Sequence, residues 1–245
     1  MAERRVALVT GASSGIGAAT VRALAAAGLD TVAAARRLER CEELAAEVGG
    51  RAVRLDVADR DSVAQLAGEL DRVDVIVHSA GGALGLEPVA EADEEKWRQM
   101  WESNVAGVMR VTKALLPRLL EGTDPHILIV GSVAGVEVYE GGGGYTAAKH
   151  AVHALAQTLR LELLADGVRV TEIAPGMVET EFSLVRFDGD EQRAKDVYRG
   201  LQPLTAEDVA EVIAFCATRP GHVDVDYVGV KPTAQATAKI AHREG

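Results

Sequence analysis

Aromatic residues, cysteines and long apolar runs are scarce in this chain of 245 residues. Because Phe, Trp and Tyr together make up only 4% of the sequence, small aliphatic side chains must fill most of the core. Cys41 and Cys216 lie far apart and have no second ligand nearby, so the sequence predicts neither a disulfide framework nor a metal site. No apolar stretch reaches the ~18 residues that a membrane-spanning helix needs.

Basic residues are also in deficit, with 26 Lys and Arg against 37 Asp and Glu and a net charge of −11. This balance disfavours binding to nucleic acid or to an anionic membrane. Residues 1–10 run from charged side chains into an apolar segment that is too short for the core of a signal peptide. We therefore expect a soluble cytoplasmic protein.

Short apolar runs alternate with segments of helical periodicity, and the runs occupy residues 6–10, 31–35, 52–55, 73–77, 126–131, 168–174 and 225–230. Continuous apolar runs of this length are typical of parallel strands that are buried on both faces. The alternation predicts one α/β domain over residues 1–245. It is expected to have a Rossmann fold, a doubly wound parallel sheet of about seven strands with helices on both faces.

A glycine-rich turn with Gly11, Gly15 and Gly17 joins the first predicted strand to the first predicted helix. Such glycines let the backbone approach a phosphate, and the helix N-terminus offers free N–H groups to an anion. The second predicted strand ends in Arg36 and Arg37, where a protein that binds NAD usually carries an acidic residue. Two guanidinium groups at this point favour the phosphate of NADP(H). The alternative is that both arginines are the solvated start of the next helix.

Tyr145 and Lys149 are four residues apart in a predicted helix, so they share one face. A free phenol titrates near pH ~10, and a neighbouring ammonium group lowers its pKa toward the range of a useful acid or base. Ser132 ends the fifth predicted strand and is expected at the same sheet edge. Asn104 interrupts an apolar helical stripe, and as a buried amide it is either a structural bridge or part of a polar relay.

A polar segment without regular periodicity, residues 178–204, follows the sixth predicted strand. Its place beyond the carboxyl end of a strand predicts a mobile lid over the site. Within it, Arg186 is predicted to bind a substrate carboxylate, and Phe182 is a second candidate substrate contact. The alternative for Arg186 is an ordinary solvated side chain.

Taken together, these motifs resemble the short-chain dehydrogenase/reductase family over nearly the whole chain. The resemblance rests on Gly11, Gly15, Gly17, Asp56, Asn104, Ser132, Tyr145, Lys149, Pro175 and Gly176. It implies that Tyr145 is the general acid/base, that Lys149 lowers its pKa and holds the nicotinamide ribose, and that Ser132 binds the substrate oxygen. It also implies that Asn104 supports a proton relay and that the protein is a homo-oligomer, either a tetramer or a dimer.

The resemblance further implies that NADP(H) is held by Gly11, Ser13, Ser14, Gly15, Ile16, Gly17, Arg36, Arg37, Asp56, Val57, Ala80, Gly81, Tyr145, Lys149, Pro175, Gly176, Val178 and Thr180. One departure is that His78 and Ser79 stand where the family usually has two asparagines. We expect Ser79 to hydrogen-bond differently or to leave that bracing role to water. Residues 83–88, 181–187 and 220–223 resemble the branch that oxidises 3-hydroxy acids and serine or allo-threonine with NADP.

Three functions stay open at this point. The first is a dehydrogenase of small 3-hydroxy acids, such as serine, allo-threonine or acids like 3-hydroxypropionate. The second is a reductase of another carbonyl compound, such as a 3-oxoacyl thioester, a steroid-like ketone or a natural-product intermediate. The third is a sensor that binds NADP without turnover. The set of Ser132, Tyr145 and Lys149 favours an enzyme, since a sensor has no need of an acid/base.

Overall fold

The computed structural model describes residues 4–244, so residues 1–3 of the N-terminal segment discussed above and residue 245 lie outside the described residues. Its sheet has strands β1 (Val6–Thr10), β2 (Asp30–Ala35), β3 (Arg51–Arg54), β4 (Val75–His78), β5 (His126–Val130), β6 (Arg169–Pro175) and β7 (Tyr227–Val230). Every neighbouring pair is parallel, and the strand order is β3-β2-β1-β4-β5-β6-β7. The predicted doubly wound sheet is thus confirmed.

The helices are α1 (Gly15–Ala26), α2 (Leu38–Val48), α3 (Arg60–Glu69), α4 (Glu94–Trp101), α5 (Gly107–Leu120), α6 (Gly143–Glu162), α7 (Glu181–Arg186), α8 (Glu191–Asp196) and α9 (Ala206–Ala217). Side chains of β1 alternate between two cores, as the period of a strand requires. Leu8 packs in the layer shared with α3, α5 and α6, whereas Ala7 and Val9 pack with α1, α2 and α9. Cys41 and Cys216 are buried in the second layer as free cysteines.

Helix starts follow the capping signals in the sequence. The Asp59 carboxylate accepts a hydrogen bond from Asp61 N, and the Asp93 carboxylate accepts from Glu95 N. Thr205 and Asp208 form a reciprocal capping box at the start of α9. Each cap satisfies backbone N–H groups that have no partner within the helix. The strand order reverses between β1 and β4, which opens a crevice at the carboxyl edge of the sheet.

Helix α5 runs to Leu120 with Pro117 inside it, and a five-residue π-helical turn, Glu102–Ala106, joins α4 to α5. The segment expected to lack periodicity carries two short helices, α7 and α8. Over residues 4–244, no helix is both long enough and apolar enough to cross a bilayer.

Candidate active site

The carboxyl edge of the sheet opens into a cleft of about 1140 Å³. All of the predicted site residues except Asn104 line it. The cleft has two ends. We call the one around Gly11–Gly17 with Arg36 and Arg37 the glycine-turn end, and the one around Ser132, Tyr145, Lys149 and Arg186 the tyrosine end.

The glycine turn directly follows β1. Gly11 and Gly15 have left-handed backbones, with φ of +69° and +51°. A Cβ on Gly11 would lie 2.8 Å from the backbone of Ala80, so the residue must be a glycine for close approach as well as for its backbone angle. Ser14 precedes α1 without capping it through its side chain. The first N–H groups of α1 therefore face the cleft without a side-chain partner, as an anion site requires.

Arginines surround this end, but they differ in their contacts. Arg37 donates from Nε to Ser13 Oγ at 3.1 Å and from NH2 to Ser14 Oγ at 2.8 Å. It also donates to Glu181 Oε2 at 3.0 Å, and Arg40 donates to Glu181 Oε1 at 2.8 Å. Arg36 is exposed and lines the cleft. Sequence reasoning missed Arg40, which lies one helical turn after the two recognised arginines.

Further along the cleft, predicted residues lie at the ends of β3 and β6. Asp56 Oδ1 accepts from Ala58 N at 3.0 Å, and Val57 is buried. Gly176 N donates to Val230 O at 2.7 Å, which fixes the chain beyond Pro175. Thr180 caps α7, and its side chain lies 3.3 Å from the position that a Cβ on Gly15 would take. Val178 pairs with Leu204 in an isolated bridge.

Thr10 braces the loop after β4 through two backbone N–H groups. Thr10 Oγ1 accepts from Ser79 N at 3.1 Å and from Ala80 N at 3.2 Å. His78 is buried, and its Nε2 lies 2.9 Å from Thr112 Oγ1. Burial lowers the pKa of His78 to about 3, so this histidine is neutral at working pH. Of the two residues that replace the usual asparagines, Ser79 is held through its backbone N–H, and His78 is a neutral histidine in the core.

Asn104 serves as a bridge from the π-helical turn to the loop after β4. Its Nδ2 donates to Gly82 O at 2.9 Å and to Met100 O at 2.8 Å, and its Oδ1 accepts from Gly82 N at 3.3 Å. The residue is 2% exposed and does not line the cleft. Of the two roles considered for it, these contacts support the structural bridge.

At the tyrosine end, Tyr145 and Lys149 lie on one face of α6 as predicted. The Tyr145 ring packs edge-on against Phe182, with ring centroids 5.6 Å apart. Lys149 Nζ lies 5.8 Å from the centroid of the Tyr145 ring and donates to Val130 O at 2.9 Å. The ammonium group is thus held beside the phenol by the end of β5.

The pKa of Tyr145 moves opposite to the expected direction. Burial raises it to about 12, while a hydrogen bond with Ser132 and the charge of Arg186 act to lower it. The expected net lowering of this pKa is therefore wrong, because the effect of burial is the larger one. Burial also lowers the pKa of Lys149 to about 8, which weakens its own charge at alkaline pH.

Glu172, a buried acidic residue that was not singled out from the sequence, favours the charged form of Lys149. Glu172 on β6 is 1% exposed, and its charge acts to raise the pKa of Lys149. Its Oε2 lies 2.6 Å from His153 Nδ1, one helical turn beyond Lys149, and His153 Nε2 lies 2.7 Å from Gln157 Nε2. An acidic residue in the middle of a strand predicted to be buried on both faces is the signal that could have revealed this group.

Ser132 is the second residue after the end of β5 and follows Gly131. Its Oγ accepts from Ala134 N at 3.1 Å and lies 3.5 Å from Pro175 O, to which it donates. These contacts aim the hydroxyl at the tyrosine end. The predicted neighbourhood of Ser132, Tyr145 and Lys149 is therefore present in the structure.

Arg186 lies over the tyrosine end and is not a solvated side chain. Its guanidinium carbon is 5.8 Å from the centroid of the Tyr145 ring and 5.5 Å from that of Tyr139. Its Nε donates to Gly85 O at 2.9 Å and its NH1 to Tyr139 Oη at 3.0 Å. Tyr139, in the loop before α6, was not singled out from the sequence, although it is an aromatic residue in a glycine-rich loop.

The C-terminal residues close one side of the cleft. Gln235 is buried, and its Oε1 accepts from Met177 N at 2.8 Å. Arg243 donates to Val197 O at 2.9 Å and to Arg199 O at 2.6 Å. The polar tail is therefore part of the wall around the site.

Comparison with known proteins agrees with this geometry. The family profile described as short chain dehydrogenase matches residues 5–190. The chain belongs to the short-chain dehydrogenase family. The resemblance identified from the sequence is thus confirmed.

Several members of the family are similar over nearly their whole length. An uncharacterized oxidoreductase of Mycobacterium tuberculosis is 60% identical over 96% of this chain and 94% of its own. Sulfoacetaldehyde reductase 2 of Chromohalobacter salexigens is 44% identical, over 96% of this chain and 97% of its own. The NADP-dependent 3-hydroxy acid dehydrogenase of Escherichia coli K12 is 38% identical, over 98% of this chain and 100% of its own.

A solved structure shows the same fold. The closed form of a serine dehydrogenase complexed with NADP⁺ matches with a TM-score of 0.91 and 38% identity. The match covers 98% of this chain and all of that one. Short-chain dehydrogenase membership and the single Rossmann-type sheet are therefore supported by sequence and structure alike.

Proposed function

We propose that this oxidoreductase transfers a hydride between NADP(H) and a small hydroxy or oxo compound that carries an anionic group close to the reacting carbon. Small 3-hydroxy acids, such as serine, allo-threonine or acids like 3-hydroxypropionate, are the preferred substrates. The observation that carries the proposal is the position of Arg186, whose guanidinium carbon is 5.8 Å from the centroid of the Tyr145 ring. A cation beside the acid/base selects a substrate with a nearby negative charge.

NADP(H) fits the glycine-turn end of the cleft. The uncapped start of α1, with Gly15, Ile16 and Gly17, offers N–H groups to a pyrophosphate. Arg36 and Arg37 lie where the adenosine ribose of a dinucleotide ends, and their charge suits a 2′-phosphate. Relatives named as NADP-dependent support the same cofactor. When bound, the cofactor supplies or accepts the hydride.

Proton transfer is assigned to Tyr145. Its phenol donates a proton to the carbonyl oxygen during reduction and takes one from the hydroxyl during oxidation. Ser132 binds the same oxygen, and the ammonium group of Lys149 beside the ring stabilises the phenolate when it forms. Because burial raises the pKa of Tyr145 to about 12, the phenol is protonated at neutral pH and can donate its proton when a carbonyl is reduced.

A second substrate class is favoured by the relatives. Sulfoacetaldehyde reductases of Chromohalobacter salexigens are 44% and 43% identical to this chain. Sulfoacetaldehyde and a 3-oxo acid both have one carbon between the reacting carbon and the anionic group. Arg186 and Tyr139 at the tyrosine end suit either a sulfonate or a carboxylate at that distance.

Turnover of anionic and neutral substrates of equal length tests the proposal. Rates are measured with NADPH and NADH on three anionic compounds, succinic semialdehyde, sulfoacetaldehyde and malonic semialdehyde, and on the matching neutral aldehydes. We expect Arg186→Ala to lower kcat/KM on the anionic compounds by about 10- to 100-fold, as loss of a charged hydrogen bond does, and on the neutral ones by much less. Arg193→Ala, which removes a guanidinium stacked on Phe187 in the same segment, is the control.

Equal losses on anionic and neutral substrates would remove the anion-binding role of Arg186. A preference for 3-oxoacyl thioesters or steroid-like ketones would favour the second function named from the sequence. Binding of NADPH without turnover of any carbonyl, together with identical behaviour of Tyr145→Phe, would favour a sensor.

Two further features belong to the same proposal. Residues 178–204 are proposed to cover the bound substrate, since Phe182 and Arg186 from this segment reach the tyrosine end. The protein is also proposed to be a homo-oligomer, because apolar side chains are exposed on α5 (Met109), on α6 (Leu161) and just after α6 (Leu164). Light scattering in solution tests whether it is a tetramer or a dimer. A cytoplasmic location stays a prediction.

A further inference from the structure

The glycine-turn end already holds an anion that belongs to the protein itself. The carboxylate of Glu181 bridges two arginines, with Arg40 NH1 at 2.8 Å from Oε1 and Arg37 NH2 at 3.0 Å from Oε2. The same Arg37 is bound to the hydroxyl groups of Ser13 and Ser14 in the glycine turn. A carboxylate thus sits on the guanidinium group that the proposed function gives to the 2′-phosphate of NADP(H).

The Glu181 side chain is ionised at neutral pH. Hydrogen bonds from Arg40 and Arg37 hold the pKa of Glu181 at about 2, so the side chain is a carboxylate at working pH. The three side chains are each between 41% and 48% exposed. Ion pairs this exposed are weak and exchange partners readily. A phosphate that enters the cleft can therefore replace the carboxylate on Arg37.

Glu181 is also placed to connect the two ends of the cleft. It is the first residue of α7, which follows Thr180 at the glycine turn. The same six-residue helix carries Phe182, whose ring packs on Tyr145, and ends at Arg186. Movement of Glu181 away from Arg37 must therefore be accommodated at the start of the segment that reaches the tyrosine end.

We propose that Glu181 is a specificity-determining residue that competes with the 2′-phosphate of NADP(H) for Arg37. In the structure, the carboxylate is paired with Arg37 and ties the start of α7 to the glycine turn. Binding of the phosphate displaces Glu181 from Arg37, and the lost ion pair makes the binding of NADP(H) weaker than it would otherwise be. The inference rests on the proposed use of NADP(H), and it predicts that a neutral residue at 181 strengthens recognition of the 2′-phosphate.

Calorimetric titration with two fragments that lack the nicotinamide tests the inference apart from turnover. Adenosine 2′,5′-bisphosphate carries the 2′-phosphate, and adenosine 5′-monophosphate does not. In Glu181→Gln, we expect the dissociation constant of the bisphosphate to fall by about 3- to 10-fold, the range expected for two exposed ion pairs. The constant for the monophosphate should change by less than about twofold.

Two variants separate competition from a general effect of charge. Glu179→Gln removes the same charge from an exposed position two residues earlier and should leave both constants nearly unchanged. In an Arg37→Ala background, Glu181→Gln should no longer tighten binding of the bisphosphate, because the shared partner is gone. Glu181→Ala serves as a second variant, and thermal melting shows that each variant is folded.

Equal tightening of both fragments, or tightening by Glu179→Gln as well, would reduce the effect to net charge and overturn the inference. Weaker binding in Glu181→Gln would show that the carboxylate positions Arg37 for the phosphate, which also overturns it. If the original protein prefers the bisphosphate but Glu181→Gln does not change the preference, the inference fails while the cofactor assignment stands. If neither protein discriminates between the fragments, both fail.

Discussion

At the tyrosine end of the cleft, burial sets the charges, whereas at the glycine-turn end exposed ion pairs set them. Burial raises the pKa of Tyr145 to about 12 and lowers that of Lys149 to about 8. The Glu181 side chain is 41% exposed, and hydrogen bonds from Arg40 and Arg37 lower its pKa to about 2. The comparison teaches that one cleft can hold a fixed proton donor at one end and an exchangeable anion site at the other.

The largest expected effect lies at the tyrosine end. Tyr145→Phe removes the acid/base hydroxyl and should lower kcat for NADPH oxidation by about 10²- to 10⁴-fold, the usual contribution of a general acid. Tyr139→Phe is the matched control, since it removes the neighbouring hydroxyl that accepts from Arg186. It should cost far less. Losses of similar size in the two variants, measured as initial rates, would break the distinction between the proton donor and its surroundings.

A smaller effect is expected at the glycine-turn end. Arg36→Asp should raise the dissociation constant of NADPH about 10- to 100-fold more than that of NADH, because a charged contact to phosphate is replaced by repulsion. Fluorescence titration of both cofactors measures the ratio. Arg51→Asp, which makes the same change at the start of β3 and outside the cleft, is the control. An unchanged ratio would refute the role of Arg36.

The third prediction concerns the pH dependence at the tyrosine end. The ammonium form of Lys149 is lost as pH rises through its pKa of about 8, so the rate should fall on the alkaline side. The Glu172 carboxylate acts to raise that pKa, and Glu172→Gln should move the alkaline limb of kcat/KM to lower pH. We expect a rate about two- to fivefold lower at pH 8.5.

The control for this prediction is Glu162→Gln, at the exposed end of α6. Its pH profile should match that of the original protein. An alkaline limb that stays in place in Glu172→Gln would show that Lys149 does not depend on the buried carboxylate.

The smallest expected effect separates the two ends by ionic strength. Raising NaCl from 0.05 to 0.5 M should weaken NADPH binding by about threefold, because exposed charges are screened by salt. The alkaline limb of the pH profile should stay where it is, since the groups that set it are buried. A shift of that limb with salt would show that the tyrosine end is open to ions.

Local pattern was sufficient for much of the fold. The apolar run at residues 6–10 is a strand with the bounds read from the sequence. Asp59, Asp93 and Thr205 are residue types that favour a helix N-cap, and each of them caps a helix. These features depend on neighbours within a few residues, which the sequence displays directly. Pro117 lies inside α5 between the buried Leu115 and Leu119, whose packing holds the helix on both sides of the proline.

Some site residues can likewise be recognised from local spacing, whereas others depend on partners that are distant in the sequence. Gly11, Gly15 and Gly17, with Tyr145 and Lys149, are recognisable because the turn and the helix face are set by short spacings. Glu172 and Tyr139 were missed because their partners lie far along the chain. His153 is 19 positions from Glu172, and Arg186 is 47 positions from Tyr139.

By itself, the sequence determined the parallel α/β architecture, the glycine turn and the tyrosine–lysine pair, because each is indicated by the type and spacing of residues that are close in the sequence. Only the tertiary structure decided how these groups are charged and what they touch. It desolvated Tyr145, so that the pKa expected to fall is raised, and it placed Glu181 on Arg37, 144 positions away. The physical reason is that desolvation and ion pairing depend on which side chains the fold brings together, and no local pattern records that.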